Sequence, residues 1–127
     1  MQTLFSLLLG HLVADFLLQS NSLIARKKQG HASGYLYHGL LHYLAVVVVL
    51  AVVAPSNLLR LRFHAILFIL TVVHLLIDWG KLRLTKSGRL SDGIVPFLAD
   101  QALHVITIAT AVMVYADTPA REIASAV

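Results

Sequence analysis

The stretch FHAILFILTVVHLLIDWGKL, residues 63–82, decides how this chain is read. Its length matches the ~20 apolar residues that a helix needs to cross the hydrocarbon core of a bilayer. Near its end it carries His74 and Asp78, four residues apart, so a helix would place them one turn apart on one side. Ionisable groups in such a segment are costly unless they are paired, watered or coordinated. The segment therefore predicts both a membrane span and a partner for its polar face.

Three further runs share this character: residues 2–19, QTLFSLLLGHLVADFLLQ; residues 36–54, LYHGLLHYLAVVVVLAVVA, closed by Pro55; and residues 95–115, VPFLADQALHVITIATAVMVY, with Pro96 suited to an early helical position. Composition agrees. Of 127 residues, 58% are hydrophobic and 13% charged, and mean hydropathy is +0.81, whereas soluble domains carry about 25% charged residues. The expected architecture is an all-α membrane protein, a single domain over residues 1–127 forming an antiparallel bundle of four transmembrane helices. The first run lacks a basic leading region and contains His11 and Asp15, so it reads as a retained span rather than a signal peptide. The tail ADTPAREIASAV, after Tyr115, reads as frayed. With no cysteine, disulfides and thiolate metal sites are excluded.

The net charge of +4 would suggest nucleic acid in a soluble protein. Here the cations lie between apolar runs, where membrane proteins place them, and no nucleic-acid partner is expected. The first connection, residues 20–35, holds Arg26, Lys27 and Lys28; the third, residues 81–94, holds Lys81, Arg83, Lys86 and Arg89; the second holds only Arg60 and Arg62. The positive-inside rule puts the first and third connections in the cytoplasm and both termini outside. Tyr35, Tyr37, Tyr43, Trp79 and Tyr115 fit an aromatic belt at the membrane surfaces. His31 reads as a solvated loop residue and His64 as interfacial.

The His74/Asp78 spacing recurs. His11 and Asp15, His38 and His42, and Asp100 and His104 each stand at i, i+4, one pair per run. Scattering the chain's His and Asp at random would give roughly one such pair. Depth adds to the pattern. In an up-down bundle the first and third runs end where the second and fourth begin, so all eight side chains fall at one end, a turn or two from the basic connections. Soluble bundles build dinuclear sites this way, with carboxylates and imidazoles projecting inward from facing helices. A lone intramembrane His or Asp more often makes an interhelical hydrogen bond. Four pairs at one depth point instead to a divalent metal site, zinc foremost, with manganese or iron as alternatives. Gln19, Lys81 and Gln101 stand beside the pairs as groups that orient the ligands, although Lys81 also suits ordinary snorkelling to the interface.

The motifs GHLVADFLLQ (10–19), HGLLH (38–42), HLLIDWGK (74–81) and FLADQALH (97–104) together resemble the bacterial membrane family known as domain of unknown function 3307. That resemblance implies a small multi-span bacterial membrane protein and no settled activity; with cytoplasmic basic connections the expected location is the inner membrane. In residue types and spacing alone the pattern is also similar to bacterial membrane-bound metal-dependent hydrolases, which adds hydrolysis and nothing about substrate. The expected function is therefore metal-dependent hydrolysis of a membrane lipid or lipid-linked phosphate near the cytoplasmic face, with Asp15 or Asp78 as general base. An iron-loaded site activating oxygen is a variant. Bis-His haem is disfavoured because it gives the aspartates nothing to do. The alternatives are a metal-ion or proton transporter or channel, which four helices would form best as a homo-oligomer, and a structural membrane protein with a polar core.

Overall fold

The computed structural model describes residues 1–91 and 93–117; the end of the tail, residues 118–127, lies outside them. The described chain is helical throughout, with no strand. Helix α1 spans Gln2–Leu12 and continues as a π-helical turn over Val13–Leu18. The chain then turns sharply into α2, Asn21–Gln29, which lies at 91° to the first helix. Helix α3 spans Ala32–Val53, a 3₁₀ turn covers Pro55–Leu59, and α4 spans Leu61–Lys86. Helix α5 spans Ile94–Asp117.

The local chemistry explains the breaks. Gln19 is extended, and Ser20 caps α2 by accepting a hydrogen bond from the Leu23 N–H at 3.3 Å. Gly30 ends α2 at φ +83°, a left-handed conformation that glycine adopts without strain. The first connection is thus a folded helix, not the loop that its charge suggests. The three positive charges Arg26, Lys27 and Lys28 sit in its last turn, where they complement the helix dipole. Pro55 ends α3 as expected and opens the 3₁₀ turn.

Helix α1 packs on α3 and α5, and α4 packs on the same two, so the four long helices close into a ring. Contacts fix their directions. Thr3 meets Asn57 while Asp15 meets His38, so α1 and α3 run antiparallel. Tyr43 meets His64 while His38 meets His74, so α3 and α4 do too. Phe63 packs on Tyr115 while Asp78 meets His104, which sets α5 against α4. One end of the ring is filled by Leu7, Val46, Leu50, Phe63, Leu67 and Ile108. The outside is strongly apolar, with Leu36, Val48, Phe68, Ile69, Leu103 and Ile106 among its exposed side chains. Helices α3, α4 and α5 are each long and apolar enough to cross a membrane, and the bent pair α1–α2 makes a fourth candidate.

Two glycines set the spacing of the helices. A Cβ on Gly10 would stand 2.7 Å from the Val46 Cα, so α1 and α3 touch backbone to backbone there. A Cβ on Gly34 would stand 2.9 Å from the Lys27 N, which ties α2 to the start of α3. At the end far from the polar pairs, Tyr43 donates from its hydroxyl to His64 Nδ1 at 2.7 Å, while His64 Nε2 donates to the Leu58 carbonyl at 2.9 Å. His64 and Tyr43 thus form an interhelical link, so neither serves only as an interfacial residue.

Candidate metal centre

The four i, i+4 pairs meet inside the ring. His11, His38, His42, His74 and His104 are each at most 3% exposed, and Asp78 and Asp100 are buried at 9% and 6%. Asp15 stands on the π turn, a widened turn of a kind frequent at functional sites, with its side chain only 7% exposed. Three sets bring candidate ligand atoms within 4.8 Å of one another: His11, His42 and His74; Asp15, His38 and His74; and His74, Asp78 and His104. His74 belongs to all three. Asp100 belongs to none of them; its Oδ1 lies 4.0 Å from His104 Nδ1.

The geometry is layered. His38 Nε2 and His74 Nε2 face each other at 2.8 Å, and Asp15 Oδ1 lies 3.3 Å from the first and 3.5 Å from the second. Asp78 Oδ2 lies 3.4 Å from His38 Nε2, and Asp78 Oδ1 lies 3.9 Å from His104 Nε2. Deeper in the ring the His42 and His74 rings stack with centroids 4.4 Å apart, and His11 stacks on His104 at 4.9 Å. Beyond these rings lies the apolar core of Leu7, Val46 and Leu50.

Two lysines close the carboxylate side. Lys27 Nζ donates to Asp78 Oδ2 at 2.5 Å, and Lys81 Nζ donates to Asp100 Oδ2 at 3.0 Å. Lys81 therefore neutralises a carboxylate rather than simply snorkelling. Lys27, counted from the sequence only as a charge of the basic connection, is 5% exposed and its ammonium sits against the cluster. The capping pattern Ser20…Gly30 around Leu23 and Lys27, one turn apart, is the sequence signal that marks it, because it makes α2 a helix with these two residues on its packed face. Gln101 lies between His11 and Asp100, with Oε1 3.4 Å from His11 Nε2 and Nε2 donating to Asp100 Oδ2 at 3.5 Å. Gln19 does not reach a cluster side chain. Its amide donates to the Asp15 backbone carbonyl at 3.2 Å, so it braces the end of the π turn instead.

Several buried polar atoms have no hydrogen-bond partner among the described residues: both ring nitrogens of His42, Nδ1 of His11, His38 and His74, Nε2 of His104, and Oδ1 of Asp15 and Asp100. Leaving a buried polar group unsatisfied costs about 1–3 kcal/mol, so such a concentration calls for an explanation. His104 is the most telling. Its Nδ1 donates to the Asp100 carbonyl at 2.9 Å, which fixes the tautomer and turns the lone pair of Nε2 inward. Lys81 acts similarly on Asp100, holding Oδ2 and leaving Oδ1 toward the cluster, whereas the Asp78 Oδ2 held by Lys27 also faces His38 Nε2.

The fold and cluster define a small all-helical protein with an apolar exterior and a buried nest of imidazoles and carboxylates. The chain belongs to the family described as Protein of unknown function (DUF3307), whose model matches residues 3–125. No curated protein and no solved structure matches it.

Proposed function

We propose that this chain is an integral membrane protein of four antiparallel spans, with the α1–α2 break at one membrane face, and a metal-dependent hydrolase of a lipid or lipid-linked phosphate. The apolar exterior and polar interior support the membrane reading, because ionisable groups within spans face inward or line cavities. The distribution of Lys and Arg supports a cytoplasmic position for the α2 and α4–α5 ends and outside termini.

The observation that carries the metal reading is the set of unpartnered imidazole nitrogens and carboxylate oxygens converging around His74. Neutral imidazole with carboxylate suits zinc, and also manganese or iron. Such an ion supplies Lewis acidity and generates a nucleophile from water near neutral pH. The protein's own residues do the rest. His11, His38, His42, His74, His104, Asp15 and Asp78 hold the site, and Asp100 joins through its free Oδ1 after a small shift. Asp15 takes the proton of the attacking water if it is not fully engaged in coordination. The water oxygen bonds to phosphorus, the P–O bond to the lipid breaks, and the leaving oxygen takes up a proton.

The transport reading has less support. Beyond the histidines the ring is closed by Leu7, Val46, Leu50, Leu67 and Ile108, so the polar nest ends blindly. One experiment separates the two. Protein reconstituted with bacterial lipids is assayed for product release and for ion uptake into liposomes. Lipid turnover that disappears in His42→Ala is the expected result. Ion uptake without turnover, also lost in His42→Ala, would overturn the hydrolase.

A further inference from the structure

A cavity of about 260 Å³ lies against the carboxylate layer, between the end of α1, α2, the end of α4 and the start of α5. Its polar wall includes Lys27, Lys28 and Lys81 beside Asp15, Asp78 and Asp100. Its apolar wall includes Phe16, Ile24, Leu82 and Phe97. Phe16 and Phe97 meet edge to face with centroids 6.2 Å apart, and Phe16 is 54% exposed on the apolar exterior. The cavity is therefore two-faced, charged with both signs toward the cluster and apolar toward the outside.

Among the described residues the charges that line it are balanced in number: three carboxylates face three ammonium groups. Lys27 and Lys81 each make one hydrogen bond among the described residues, to Asp78 and Asp100, although an ammonium offers three donors. Each divalent ion added to the cluster brings two further positive charges into a buried site, where uncompensated charge is expensive. A terminal phosphate group carries close to two negative charges near neutral pH and has oxygens for the spare lysine donors. A phosphodiester carries only one. The seam of Phe16 and Phe97, with Phe16 half exposed on the apolar exterior, offers an alkyl chain an apolar way out.

We infer that this cavity is a subsite for the terminal phosphate of a lipid phosphomonoester, gripped by Lys27, Lys28 and Lys81, with the alkyl chain leaving past Phe16 and Phe97. The inference rests on the metal-dependent reading above and names its substrate class. Hydrolysis at this site adds water across the P–O bond and yields a lipid alcohol and inorganic phosphate.

The test uses the full chain in detergent, with its metal content measured in every sample. Binding is compared for phosphatidic acid, phosphatidylglycerol with the same acyl chains, and inorganic phosphate. The expected result is a preference for the monoester over the diester of about tenfold or more, reduced in both Lys28→Gln and Lys81→Gln. Inorganic phosphate should bind more weakly than phosphatidic acid, and the gap should narrow in Phe16→Ala. Lys28 is exposed and has no ion-pair partner among the described residues, so Lys28→Gln is expected to leave the fold and the cluster intact. Equal binding of monoester and diester by metal-loaded protein would overturn this inference and leave the metal reading standing. Inorganic phosphate binding as tightly as the lipid would overturn the chain exit. Protein that binds no metal would overturn both readings together.

Discussion

His74 is the residue on which the site turns, because its imidazole belongs to every group of candidate ligands. A histidine on an apolar helix is ordinarily explained by one interhelical hydrogen bond. His42 does not fit that explanation, since neither of its ring nitrogens has a hydrogen-bond partner among the described residues. Removing a true ligand should cost more than the ~10–100-fold in affinity typical of losing an orienting partner. His42→Ala and Asp78→Ala are therefore expected to lower metal affinity by at least that much, read by competition with a chromophoric chelator. Lys27 permits a separate test. It is the buried partner of Asp78, and removing one member of a buried ion pair costs about 3–5 kcal/mol. Lys27→Met should lower denaturant stability by about that amount, and the double change Lys27→Met, Asp78→Leu should recover much of it. A loss below about 1 kcal/mol in Lys27→Met would place the ammonium in solvent and not in the site.

At the scale of elements, the site depends on where helices stop and how closely they approach. The four pairs were legible because a period of 3.6 turns i, i+4 spacing into a shared face, and because an up-down order places the pairs of His11, His38, His74 and Asp100 at one depth. The π turn at Val13–Leu18 was not legible, since nothing in VADFLL distinguishes an i→i+5 turn from an ordinary helical one. Nor was the inward course of Lys27. A run of Arg26, Lys27 and Lys28 reads as a basic loop when charge is counted. Only the caps at Ser20 and Gly30 turn it into a helix with a packed face. Gly34 holds that helix in place by admitting the Lys27 backbone. Gly34→Ala is expected to push α2 away and separate Lys27 from Asp78, with a stability loss of about 1–3 kcal/mol. Gly10→Ala should do the same to the α1–α3 contact and draw His11 out of the cluster, so thermal stability and metal content should fall together. Unchanged melting of both variants would show that these close approaches are not needed.

For the whole molecule, the arrangement inverts that of a soluble domain: the exterior is apolar and the chemistry is inside. That inversion accounts for the weak contrast between helix faces in the sequence, where Leu and Val recur all round α3 and α4 and the polar residues mark the interior. The proposed orientation makes a definite expectation for single cysteines introduced at Lys28 and Arg89. Both should be labelled from the cytoplasmic side and protected from outside reagent in intact cells; labelling at opposite faces would break the antiparallel four-span scheme. The proposed function stands on the metal. The most direct measurement is elemental analysis of the protein purified in detergent without added metal, beside a His74→Ala variant shown by circular dichroism to keep its helix content. The account expects at least one zinc, manganese or iron ion per wild-type chain and a clear loss in the variant. A helical wild-type chain free of divalent metal, or a His74→Ala chain with undiminished content, would contradict it.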